Sequence, residues 1–192
     1  YAFYPSEAIK ANSGSIVLTA IPAVQTYNNG ECNMQYAYMS ACAEGVARGE
    51  EVSFTFRPLM TTVTVQVGFS ETVEVQKLVL SSENDAVAGT FTHDIATNSS
   101  TVDPERSSKV LALHMTTGST PYIELNAGSK ILVTAFMLPQ DIHGLTLSAV
   151  TTEGKTYSYT TPATLKAGVV GIADSVFYGA QGIYRVELPE TV

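Results

Sequence analysis

The chain contains no tryptophan, two cysteines and three histidines in 192 residues, and only 15% of its residues are charged. Each shortage excludes something. Without tryptophan, the favoured platform for stacking sugars is missing. Cys32 and Cys42 have neither Cys-x-x-Cys spacing nor a neighbouring histidine, so they do not read as a zinc site. A disulfide in an oxidising compartment and a pair of small buried thiols both fit them. His93, His114 and His143 form no His-x-x-x-His or His-Glu-x-x-His pattern, so no metal site is expected. Ten Lys and Arg stand against eighteen Asp and Glu, a net charge of −8. With no basic stripe, nucleic acid is not an expected partner, and an acidic surface is repelled by anionic membranes. No apolar run is long enough to span a bilayer as a helix; the longest, 131–138, has strand length. Gly-x-Ser-x-Gly, Gly-x-Gly-x-x-Gly and Walker patterns are all missing, so no cofactor is expected.

What is present is the chemistry of pleated surfaces. Hydrophobic residues make up 45% of the chain, a globular balance. Thr, Val and Ser are abundant and ten Tyr and fourteen Gly accompany them, as suits strands and turns. Period-two alternation recurs. Val52, Phe54 and Phe56 face one way, and Ser53, Thr55 and Arg57 the other. Val63, Val65 and Val67 form a second set. Val73 and Val75 form a third, whose phase slips at Leu78 and Leu80 and so predicts a bulge. Leu111, Leu113 and Met115 are a fourth. The run 131–138 is apolar on nearly both faces and predicts a doubly covered strand. Leu145, Leu147 and Ala149, the turn at Glu153-Gly154, and Tyr157 and Tyr159 predict a hairpin. Tyr184, Val186 and Leu188 predict a last core strand, with too little chain after it for a separate donor arm. About seven strands in 51–192 fit a β-sandwich.

The other stretches read differently. Residues 98–108 are polar, contain Asp103-Pro104 and predict a loop, and 165–181 predict an irregular segment. Residues 34–44 fit a helix or a strand. Asn28-Asn29-Gly30 is a turn. The first 49 residues hold too few strands for a core of their own. The predicted organisation is therefore residues 1–49 as the C-terminal part of a preceding β-domain whose first strands are missing, and 50–192 as a C-terminal β-sandwich. The boundary falls at the charged cluster around Gly49. Tyr1 is not an initiator residue, so the expectation is a mature or trimmed chain whose export signal lay upstream.

No catalytic constellation emerges, and the chain reads as a non-enzyme. A Ser-His-Asp set drawn through His93 and Asp94 has almost no specificity, since triads are defined by geometry. Eighteen acidic residues allow many carboxylate pairs and select none. His114 lies out of phase with Leu113 and Met115, so it reads as a solvent-facing strand residue. Tyr157 and Tyr159 share a strand face. With Tyr178 they would form the platform of a carbohydrate-binding protein, the alternative reading, although packing explains strand tyrosines better. Asn98-Ser99-Ser100 matches an N-glycosylation acceptor. Asp174-Ser175-Val176 resembles a short O-glycosylation acceptor, and 188–191 resembles a sortase signal without its glycine; both are too short to carry weight.

The order of segments resembles the Bacteroides fimbrillin-like family, the type V pilus subunits. Phe3-Tyr4-Pro5 is similar to the family's aromatic-proline opening. An apolar strand at 16–20, Pro22 and Gln25 follow it, then Met34 with Tyr36-Ala37. Val52, Phe54 and Phe56 before Val63, Val65 and Val67 match the next segment. Leu125-Asn126-Ala127-Gly128 and Leu165-Lys166-Ala167-Gly168 match its Leu-x-Ala-Gly pattern. Arg57 and Pro58 depart from it, standing where many members have histidine, as does the long insert 169–182. The resemblance implies transthyretin-like β-sandwiches, export as a lipoprotein, and a place at the cell surface, in the outer membrane or in a fimbrium. It implies a structural or adhesive subunit. Its partners would be other fimbrial subunits, joined by β-strand addition after an Arg-specific protease removes a first strand, together with surface receptors or glycans.

Overall fold

Valine and threonine in alternation leave one apolar and one polar face on each strand, and the sheets form by bringing the apolar faces together. The computed structural model describes residues 1–161, 164–167 and 170–176, the last of these by backbone alone. Five strands precede residue 49: β1 (Ala2–Tyr4), β2 (Ala11–Ser13), β3 (Ile16–Ile21), β4 (Val24–Thr26) and β5 (Met39–Ala41). Then come β6 (Arg57–Pro58), β7 (Thr61–Gly68), β8 (Val73–Ser82), β9 (Ala88–Asp94), β10 (Ser99–Ser108) and β11 (Val110–His114). The remainder are β12 (Ile123–Leu125), β13 (Lys130–Met137), β14 (Ile142–His143), β15 (Leu145–Thr151), β16 (Thr156–Thr160), β17 (Thr164–Leu165) and β18 (Val170–Val176). The only helical turns among the described residues are 3-10 segments at Ser6–Ala8 and Met34–Tyr36. The fold is all-β.

The largest sheet has the order β16-β15-β8-β11-β4, with β12 paired to the far end of β8. A second has the order β10-β9-β3-β2, a third β13-β7-β18, and a fourth β1-β5-β6; β14 and β17 pair alone. Val75, Leu78, Leu80, Leu111, Leu113, Leu147 and Ala149 from the first sheet share one hydrophobic cluster with Val63, Val65, Val67, Val133 and Met137 from the third. Ile21, Tyr38 and Phe91 belong to the same cluster, which thus takes in side chains from both sides of the boundary expected near Gly49. β3 pairs with β9 from Ile16–Asp94 to Ile21–Gly89, and β4 runs parallel to β11. Tyr38 stacks on Phe91 at 6.4 Å between ring centroids, and its hydroxyl donates to Ala20 O.

Several expected elements appear where the alternation places them. β7 and β11 carry the Val63 and Leu111 sets, and β15 and β16 form the hairpin around Gly154. The phase slip in β8 is a bulge. Val150 of β15 faces Lys77 while its neighbour Thr151 faces Val75, so Gln76 is the extra residue. Residues 34–44 resolve into a 3-10 turn followed by β5.

Four expectations change. Residues 98–108 are not a loop: β10 pairs with β9 at 99–102 and 107–108, and the register shifts between Val102 and Ser107. The strand lies at the sheet edge, so its polar side chains stay solvated and Pro104 falls in the bulge, where no ladder donor is needed. Opposite it, Gly89 (φ +131) approaches Arg106 O so closely that a Cβ would lie 2.4 Å from that oxygen. The irregular segment expected at 165–181 includes β18, parallel to β7. The run 131–138 is buried on both faces only toward its end, and Leu132 is 47% exposed. Its sheet ends at β13, so the first half has a solvated side. Finally, of the strand expected at 52–57 only Arg57 enters a ladder, opposite Ser40, with Pro58 beyond it opposite Met39. The expected strand at Tyr184, Val186 and Leu188 lies outside the described residues.

Candidate functional site

His93 lies on β9 and is 1% exposed. Its Nε2 is 2.9 Å from Ser40 Oγ on β5, and its Nδ1 is 3.0 Å from Ser100 Oγ on β10. Burial pushes the imidazole below its usual pKa, opposed by the nearby Asp94 charge. A buried ring with two hydroxyl partners is satisfied as neutral imidazole. The set drawn through His93 and Asp94 does not form. Neighbouring residues on a strand point to opposite faces, and Asp94 turns to the turn after β9, where it accepts from Ala96 N. The Ser15 hydroxyl is the main reason its carboxyl lies below the usual carboxylate range. A cavity of about 540 Å³ lined by Ser40, Cys42, Glu44, Arg57 and Asn98 adjoins this network. Ser40 is only 3% exposed, and its hydroxyl is engaged with His93. Asn98, of the glycosylation-like triplet, sits in the same turn with φ +53.

The other candidate residues lie apart. His114 is exposed on β11. His143 binds Asp85 through Nδ1 at 2.9 Å and through its backbone N–H at 2.7 Å. Cys32 and Cys42 are both exposed and unbonded, so they form neither a disulfide nor a buried pair. Burial nonetheless raises the Cys32 thiol above its usual pKa. Tyr157 packs edge-on against Phe69 at 5.3 Å and donates its hydroxyl to Glu71. Tyr159 is likewise partly buried against the core, so both rings cover apolar surface, and Tyr157 also lines a cavity of about 410 Å³ with Glu71, Glu74, Glu124 and Glu153. Tyr178 lies outside the described residues, and Asp174–Val176 is described by backbone alone. Among the described residues no group of His, Cys, Asp and Glu is placed to hold a metal ion. No helix among them is long and apolar enough to cross a membrane.

The geometry is more pronounced at the sheet edges. β13 has one ladder partner, β7. At its outer edge the fully buried Gln25 side chain acts as a peptide surrogate: Nε2 donates to Phe136 O at 2.6 Å, and Phe136 N donates to Oε1 at 3.2 Å. Backbone direction alternates along a strand, so Thr134 and Leu132 turn their backbone groups to that same edge. No ladder pairs them there among the described residues. An apolar groove of about 280 Å³ lies over the face of β7 and β13, lined by Tyr38, Met39, Met60, Thr64, Thr134 and Phe136 among others. No sequence pattern singles out Gln25 for this role, since its partner is 111 residues away.

Among the described residues the fold is an all-β sandwich in which no buried side-chain polar atom lacks a partner and several sheets end on unpaired edge strands. Residues 1–188 match the fimbrillin-like family, and the chain belongs to it. Its fold is similar to that of a fimbrial protein from Bacteroides vulgatus, with TM-score 0.54, 13% identity, and coverage of 96% of this chain and 71% of that one. It is also similar to a candidate cell adhesion protein from Bacteroides ovatus, with TM-score 0.63 and 14% identity over 98% of this chain. The chain spans 64% of the length of that second structure. At these identities the likeness is one of fold. No curated protein matches the chain.

Proposed function

We propose that this protein is a structural or adhesive subunit of a bacterial surface fimbria, exported to the cell surface and joined to its neighbours by β-strand exchange. The observation that carries this reading is the fimbrillin-like match across residues 1–188. Export as a lipoprotein and delivery to the outer membrane belong to the same reading. It is a non-enzymatic role, in keeping with a family of fimbrial subunits.

The outer edge of β13 is where an incoming strand fits best. Main-chain groups at Leu132 and Thr134 supply the hydrogen bonds, and the apolar groove receives alternate side chains. Other fimbrial subunits are therefore the partners, with receptors on host or bacterial surfaces reached through the assembled fibre. Leu132→Pro tests the edge. Proline there removes an outward N–H and leaves the ladder to β7 intact, so the subunit folds while strand addition is blocked. The expected result is loss of SDS-resistant multimers with unchanged thermal unfolding of the monomer. Multimers formed as readily as by the unsubstituted subunit would remove β13 as the acceptor.

A further inference from the structure

Residues 44–58 are exposed without interruption. Within them, 51–56 have strand chemistry and no strand partner among the described residues. Val52, Phe54 and Phe56 are 40%, 41% and 42% exposed and share one face, with the two phenylalanine rings 6.5 Å apart. No backbone or side-chain hydrogen bond reaches these six residues among the described ones. The segment runs directly into β6, an edge strand. Leu59 N donates to Tyr38 O, so odd-numbered residues turn their backbone toward β5. By alternation, Val52, Phe54 and Phe56 turn theirs to the open side.

We propose that this edge pairs with itself: two copies of the chain associate through an antiparallel, two-fold symmetric pairing of residues 51–57. The sequence is self-complementary in one register. Phe54 faces Phe54 of the second copy and exchanges both backbone bonds with it. Val52 faces Phe56, so every apolar side chain on that face meets another. On the opposite face Ser53 meets Thr55, and Glu51 meets Arg57. Neither Glu51 nor Arg57 has an ion-pair partner among the described residues. The symmetry supplies each with one. Pro58, lacking an N–H, ends the ladder where it should stop. The pairing joins two β1-β5-β6 sheets into one continuous sheet and closes on itself. It is therefore distinct from the head-to-tail strand exchange of a fibre, and it adds a lateral contact between subunits.

The test is sedimentation equilibrium of the full chain under reducing conditions over a wide range of concentration. The expected result is a reversible monomer–dimer equilibrium. Glu51→Arg and Arg57→Glu each place like charges opposite one another on both sides of the axis and weaken the dimer about tenfold. The double reversal E51R/R57E restores it, a recovery that general damage to the fold by either substitution would not give. A chain that stays monomeric throughout overturns the proposal. So does a dimer indifferent to both reversals, or an open series of larger species.

Discussion

Two buried polar side chains hold distant parts of the chain together. Gln25 binds both backbone groups of Phe136, so Gln25→Ala leaves a buried donor and acceptor unmet. The expected loss is about 1–3 kcal/mol in chemical denaturation. Gln25→Glu is informative at neutral pH, because a carboxylate accepts from Phe136 N but has nothing to donate to Phe136 O. It should destabilise as well, and recover partly where the carboxyl is protonated. His93 gives a pH signature. Its folded pKa is lowered by burial, so the unfolded chain takes up more protons on acidification. Stability from this residue is complete above the unfolded value of about 6.5 and falls as pH drops toward the folded value. Urea midpoints compared at pH 7.5 and below 6 should show this decline, and His93→Gln should flatten it. An unchanged slope in the variant would assign the effect elsewhere.

At the scale of elements, the alternating segments were legible because burial on one face imposes period two. The sets of β7, β11, β15 and β16 were readable this way, as was the bulge in β8. β10 was not, because an edge strand solvated on its outer side needs no apolar face and tolerates Pro104 in its bulge. Residues 52–56 failed in the opposite sense: the pattern is a strand's, but among the described residues it finds no neighbour. The candidate site was less legible than the fold. Ser40, His93 and Ser100 meet only through tertiary pairing, and nothing beside Gln25 points to its partner, 111 residues away. The bulge in β10 depends on Gly89. Gly89→Ala forces a Cβ toward Arg106 O and requires a strained φ, with an expected cost of about 1–3 kcal/mol by thermal or chemical unfolding.

For the whole molecule, the cluster crossing residue 49 has a direct consequence. Residues 44–58 are exposed, so an Arg-specific protease should nick the chain at Arg48, whereas Arg57 is followed by Pro58 and held in β6. The N-terminal fragment should nonetheless remain bound, since β3 lies between β2 and β9 and Ile21 and Tyr38 are in the shared cluster. Both fragments should co-elute in native gel filtration and separate only in denaturant. Dissociation under native conditions would instead support an independent segment before residue 49. A strand held without a covalent link is also the physical basis of strand exchange, the central element of the fimbrial reading.

The most direct measurement is therefore on the full-length precursor, treated with an Arg-specific protease and run on unboiled SDS gels. The account predicts a protease-dependent ladder of SDS-resistant multimers that collapses to monomer on boiling. A single monomer band, beside a polymerising fimbrial subunit that does form a ladder, would contradict assembly by strand exchange.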